Sequence, residues 1–216
     1  MNMNKYMVID TGASRSFEGG HEFLRGASSE GEIAVYIGKG AGRKYVADPS
    51  KIVIILELDG ECLGVHTGEE PGLGESNVVG FNRFRLGESP ATNLIELVTQ
   101  TNTSKSAAEA ARALFEGAGF DVAVCKDFVG RIVNRLIRPM FNDALRALDE
   151  GVATAKDLDL TVKLGLGYRK GFIDPLYKSG LHHHYDVTSA LFEVYGQAGY
   201  APTRRGVVAK QRSLKA

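Results

Sequence analysis

Across the first hundred positions, apolar residues come in short runs separated by glycine-rich punctuation. The runs Tyr6–Asp10, Ile33–Gly38, Ile52–Leu58, Val78–Phe84 and Leu94–Thr99 predict β-strands. Ile52-Val53-Ile54-Ile55-Leu56 is a continuous, β-branched stretch, which predicts a central strand covered on both faces. Between the runs lie Thr11-Gly12-Ala13-Ser14, Gly19-Gly20, Gly38–Gly42 and Pro71–Gly74, all turn chemistry. They leave little room for long amphipathic helices, so the expected sheet is small and open to mixed strand directions.

From Ser104 the period changes. Ser104-Lys105-Ser106 opens a helix through Ala107 to Phe115 that ends at Gly117 and Gly119, and Asp121–Cys125 predicts one more short strand. The next segment has the strongest helical period. Phe128, Ile132, Leu136, Met140, Phe141, Ala144, Leu145 and Leu148 recur every three to four positions, which predicts a helix over 128–150 before Gly151. Thr154 with Asp157 predicts an N-cap for a helix that stops at Gly165-Leu166-Gly167. A further helix is expected from Asp186 to about Gln197, and the basic tail holds room for another. The chain therefore divides into an α/β region, 1–100, and an all-α region, 101–216.

Composition narrows the function classes. Lys+Arg and Asp+Glu are 26 each, so the net charge is zero, which argues against electrostatic binding to nucleic acid or to an anionic membrane. No apolar run approaches the ~20 residues of a membrane helix, and the first residues show no secretory pattern. Cys62 and Cys125 are far apart and form no metal-ligand spacing, so a reducing, cytoplasmic location without structural metal is expected.

A few residues carry candidate chemistry. Glu96 interrupts the apolar run Leu94–Val98, where a carboxylate either faces solvent or has a task. Asn134 lies inside the long helix, against propensity, so it serves either a site or an inter-helix hydrogen bond. The adjacent histidines 182–184 point in different directions on a helix and do not make a metal face. His66 would act as a base only if its loop folded toward Glu96; a surface histidine is the alternative. Gly38-Lys39-Gly40-Ala41-Gly42 follows a strand but lacks glycine-x-glycine-x-x-glycine spacing, and Pro49 follows closely, which predicts a hairpin or surface loop over a phosphate cradle.

The words Lys126-Asp127-Phe128-Val129-Gly130-Arg131-Ile132-Val133-Asn134-Arg135-Leu136, Ala153-Thr154-Ala155-Lys156-Asp157-Leu158-Asp159 and Leu164-Gly165-Leu166-Gly167-Tyr168 occur in that order. In order and spacing the chain resembles the 3-hydroxyacyl-CoA dehydrogenase family, in its helical C-terminal domain. Val78–Phe84 and Asn93–Val98 are similar to the last part of that family's nucleotide domain, so the resemblance covers about 78–200. It implies a reduced Rossmann-like sheet, NAD as cofactor, an acyl-CoA thioester as ligand and a homodimer through the helices. It also implies a site in which a histidine takes the hydroxyl proton, a carboxylate orients it, and an asparagine bonds the reacting oxygen. Carried over, the carboxylate is Glu96 and the asparagine is Asn134, while Asn82 stands at the histidine position. An amide does not accept and return a proton near neutral pH. Two functions follow as expectations. One is a 3-hydroxyacyl-CoA dehydrogenase-like oxidoreductase of fatty-acid metabolism, its NAD site atypical or supplied by a partner subunit. The other is a non-catalytic scaffold or acyl-thioester-binding subunit.

Overall fold

The computed structural model describes residues 5–215. Its six strands are β1 (Tyr6–Asp10), β2 (Ile33–Ile37), β3 (Val53–Glu57), β4 (Val78–Arg83), β5 (Leu94–Thr99) and β6 (Asp121–Lys126). They form one sheet in sequential order. Strands β1 to β4 are parallel, β5 runs antiparallel to β4, and β6 is parallel to β5. The connections carry only four-residue helices, α1 (Glu22–Arg25), α2 (Ala41–Lys44) and α3 (Gly64–Thr67), until α4 (Lys105–Gly117).

The period of two sorts the strand residues between two cores. Val53 and Ile55 join Val35, Val79, Phe81, Ile95 and Leu97 on the face covered by Ala107, Ala111, Leu114 and Phe115 of α4. Ile54 and Leu56 join Leu58, Leu63, Val78 and Val98 on the other. Both faces of β3 are thus buried, as its unbroken apolar run predicts. With so little helix, aromatics of the connection between β1 and β2 complete the first core: Phe17 stacks on Phe23 at 4.7 Å between centroids.

Chain contacts divide the molecule into two compact units. One runs to Phe84 and resumes over Ala91–Arg131; the other comprises Arg85–Pro90 and the chain from Ile132 onward. The sheet unit thus extends past the boundary expected near residue 100, because β6 pairs with β5 and α4 lies on the sheet.

The second unit is helical: α5 (Val133–Asp149), α6 (Ala155–Gly165), α7 (Ile173–Lys178), α8 (Leu181–Tyr195), a 3-10 turn (Ala198–Tyr200) and α9 (Arg204–Ser213). Its core is Phe141, Leu145, Val162, Phe172, Ile173, Leu176 and Leu181. Thr154 caps α6 by accepting the Asp157 amide at 3.2 Å. Two expectations need correction. The long helix begins at Val133 rather than near Phe128, because Gly130 and Arg131 take φ of 79° and 48°, which no helix accommodates. Helix α8 begins at Leu181, five positions before Asp186, and takes in all three adjacent histidines.

Candidate functional site

In the sheet unit, Asn82 and Glu96 are direct cross-strand partners on β4 and β5. Such partners share a face of the sheet. Glu96 is fully buried, which removes the solvent-facing alternative, while Asn82 is half-buried. Arg131, absent from the sequence candidates, is buried at this end of the sheet. Its guanidinium donates to the carbonyls of Asp59 at 2.9 Å and Glu61 at 2.8 Å, which ties down the loop after β3. Burial lowers its pKa, and the nearby Glu96 charge opposes that shift. Asp127, beside it, accepts the amides of Leu63 at 2.8 Å and Gly64 at 2.7 Å, so one acidic residue of the motif is spent on holding α3.

Both thiols sit in this neighbourhood and both are made poor nucleophiles. Burial, then the Glu96 charge, pushes the Cys125 thiol up to about 11. Burial, then Asp127, raises Cys62. His66 is neither at the surface nor joined to Glu96. Its ring packs against Gly42, where an added Cβ would lie 2.3 Å away, and its Nε2 meets Glu61 at 3.1 Å.

The glycine-rich loop does not fit a pyrophosphate. Gly38 and Gly40 have φ of 91° and 93°, which glycine permits. Three of the loop's amides, however, are engaged inside the protein. The Gly38 N–H donates to the Glu57 carboxylate at 2.6 Å, Lys39 to the Gly12 carbonyl at 2.6 Å, and Ala41 to the Gly38 carbonyl at 3.0 Å. Glu57 is buried and also accepts from the amides of Arg15 and Ser16, which puts a carboxylate where an anion cradle needs donors. Helix α2 is a single turn. The sequential strand order of the described residues has no reversal, the feature that opens a dinucleotide crevice in doubly wound sheets.

In the helical unit, Asn134 lies in the first turn of α5 and opens a buried polar chain. Its Oδ1 accepts from Arg138 Nε, one turn on, at 2.9 Å. Arg138 Nη1 donates to His184 Nδ1 at 3.0 Å. Arginine is donor-only, so Nδ1 is the acceptor and the His184 proton sits on Nε2. That N–H donates to Asn142 Oδ1 at 2.8 Å. The Asn142 amide in turn donates to the carbonyls of Gly199 at 2.8 Å and Ala201 at 3.2 Å. Burial, then the Arg138 charge, pushes His184 down to about 3, so the chain keeps one polarity at neutral pH. His183 points elsewhere, to Glu88 at 2.7 Å.

Comparisons with known proteins address the lineage. The family model described as 3-hydroxyacyl-CoA dehydrogenase, C-terminal domain, matches residues 130–215. This region of the chain is thus similar to the C-terminal domain of the 3-hydroxyacyl-CoA dehydrogenase family. Among relatives, 3-hydroxybutyryl-CoA dehydrogenase of Bradyrhizobium diazoefficiens is 32% identical over 113 residues, 52% of this chain and 39% of that protein. Lambda-crystallin of Oryctolagus cuniculus is 38% identical over 84 residues, 38% of this chain and 26% of that protein. The chain thus spans two fifths or less of these relatives. Among solved structures, FadB2 of M. tuberculosis superposes with a TM-score of 0.71 at 22% identity, over 86% of this chain and 67% of that one. The (S)-3-hydroxybutyryl-CoA dehydrogenase of Ralstonia eutropha gives 0.67 at 20%, over 86% and 66%. At such identities the likeness is one of fold, and it extends well beyond the helices into the sheet.

Proposed function

We propose that this chain is a 3-hydroxyacyl-CoA dehydrogenase-like protein of acyl-CoA metabolism that takes a 3-hydroxyacyl or 3-oxoacyl thioester as its ligand. The observation that carries this reading is the family match over 130–215, which includes Asn134 with its amide oriented by Arg138. With Oδ1 occupied, the Asn134 Nδ2 hydrogens are the groups left to meet a substrate oxygen. A cleft of about 1040 Å³ in the same unit is lined by Lys156, Lys163, Arg169 and Lys170. These four form no ion pair among the described residues, and they complement the phosphates of a CoA carrier.

A second reading, a non-catalytic acyl-thioester-binding or scaffold subunit, is favoured by Asn82 facing Glu96. The position where the resemblance asks for a base holds an amide. NAD, implied by the resemblance, finds no cradle in the glycine-rich loop, so under the first reading another part of the assembly supplies it. Exposed Leu160 and Leu164 on α6, with Leu166 after it, support a homodimer through the helices. Two cysteines without a disulfide suit a reducing cytoplasm, and no helix of the described residues is long and apolar enough to cross a membrane.

Titration of the purified chain with acetoacetyl-CoA by calorimetry, and with NADH by fluorescence, tests the proposal. Thioester binding with weak or undetectable NADH binding supports the subunit reading. Low-micromolar NADH binding with turnover of acetoacetyl-CoA supports the dehydrogenase. Absence of thioester binding sinks both.

A further inference from the structure

Arg138 is the largest fully buried side chain among the described residues, 2% exposed, on the core-facing side of α5. Its two hydrogen-bond partners, Asn134 and His184, are both neutral. No carboxylate among the described residues forms an ion pair with it, and its aromatic neighbour, Phe141, is 6.0 Å from the guanidinium. Burial lowers its pKa to about 10, so it remains a cation at neutral pH. An isolated buried charge is costly, and a methionine or leucine would fill the same space without that cost.

A guanidinium has five N–H donors. Asn134 Oδ1 takes one and His184 Nδ1 another, and five minus two leaves three without an acceptor among the described residues. Nη2, which makes no hydrogen bond, is also missing from the buried polar atoms that lack a partner, so it keeps some access from outside. Asn134 Nδ2, on the same helix one turn earlier, has no acceptor either. Two sets of free donors and one positive charge without a carboxylate partner therefore sit together, at the residue the acyl-thioester reading already assigns to a substrate oxygen.

We propose that Arg138 and Asn134 form a binding site for an anionic oxygen on the acyl part of the ligand, with Arg138 supplying the counter-charge. The inference rests on the acyl-thioester reading and gives that site a substrate class. The oxygen comes from one of two sources: the enolate of a 3-oxoacyl thioester, or a carboxylate at the far end of a dicarboxylic acyl chain. Either delivers delocalised negative charge to a planar fork, for which arginine suits better than lysine. The internal chain through His184 and Asn142 holds the fork from behind, so the guanidinium is positioned before the ligand arrives.

The test is calorimetry on the full-length chain with three thioesters. Acetoacetyl-CoA offers an enolisable 3-oxo group, glutaryl-CoA a terminal carboxylate, and butyryl-CoA neither. The wild type is expected to bind one of the first two about tenfold or more tighter than butyryl-CoA, the worth of a charge-assisted contact. The preferred thioester identifies the source of the oxygen. Arg138→Met should erase the preference, lowering affinity for the preferred thioester about tenfold more than for butyryl-CoA, and Arg138→Lys should recover part of it, as a point charge does. A purely structural arginine would weaken all three ligands alike or none. Should Arg138→Met not fold, as judged by circular dichroism, Arg138→Lys and the wild-type preference still decide. Equal wild-type affinity for the three thioesters, or a preference that survives in Arg138→Met, overturns the site. If the wild type binds no thioester at all, the functional reading falls. The site then stands only if free acetoacetate or glutarate raises the melting temperature of the wild type and not of Arg138→Met; without that shift it falls too.

Discussion

Glu57→Gln is the most informative single change in the sheet unit, because it preserves shape and removes only charge and one acceptor. The Glu57 carboxylate accepts three backbone amides, from Arg15 at 3.1 Å, Ser16 at 2.8 Å and Gly38 at 2.6 Å. A glutamine cannot satisfy all three. If its oxygen stays on Arg15 and Ser16, its NH₂ group meets the Gly38 N–H, donor against donor. One charge-assisted bond is then lost and two are reduced to neutral strength. Charged hydrogen bonds contribute ~1.5–3 kcal/mol and neutral ones ~1 kcal/mol, so at the lower end of the charged range the loss is about 3 kcal/mol. Relief from burying a charge trims that figure toward about 2 kcal/mol. At roughly 2–4 °C per kcal/mol for a chain of this size, the melting temperature should fall by about 4–12 °C. Glu57→Ala, which leaves all three amides without a partner, should cost more. Thermal unfolding by circular dichroism gives the shift, and hydrogen exchange at the Gly38 and Ser16 amides places it. A change under about 2 °C with both amides still protected, or an alanine variant more stable than the glutamine one, would refute the account of Glu57 as the anchor of these loops.

Three further outcomes are expected. His184 is held near 3 in the folded protein against ~6.5 when unfolded, so the unfolded chain binds the extra proton first. Stability from this group is complete above about pH 6.5 and is lost as pH falls toward 3, by up to ~1.4 kcal/mol per pH unit; urea melts of the wild type and His184→Gln should differ in slope over that window. With Cys125 pushed up to about 11 and Cys62 also raised, both thiols of the folded protein should react with a disulfide reagent at pH 7.5 far more slowly than in urea; equal rates would contradict their burial. Leu164 is 78% exposed on α6 of the proposed dimer surface, so Leu164→Glu should convert a dimer to a 23.3 kDa monomer in sedimentation; a wild type already monomeric at micromolar concentration removes the dimer.

Much of the fold was legible because its causes are local. The unbroken β-branched run at Ile52–Leu56 needs a sheet with both faces covered, and alternate positions of β3 enter different cores. Thr154 caps α6 with an atom three residues from the amide it accepts. The pairing of Asn82 with Glu96 is different in kind. Sequence placed each on its strand, but only the antiparallel register of β4 and β5 made them neighbours. What stayed hidden depends on groups brought together from afar. Gly130 hints at a left-handed turn, but nothing near Arg131 signals that it too takes positive φ and delays the start of α5, with its guanidinium on carbonyls 70 or more residues earlier. Glu57 gathers amides from Arg15, Ser16 and Gly38, and thereby decides that a glycine-rich loop is a folded corner and not an anion cradle. Arg138 lies in the period of an ordinary amphipathic helix. Its burial against His184, 46 positions later, is set by the packing of α5 on α8, because only tertiary contact decides which charge loses its water and what is left to replace it.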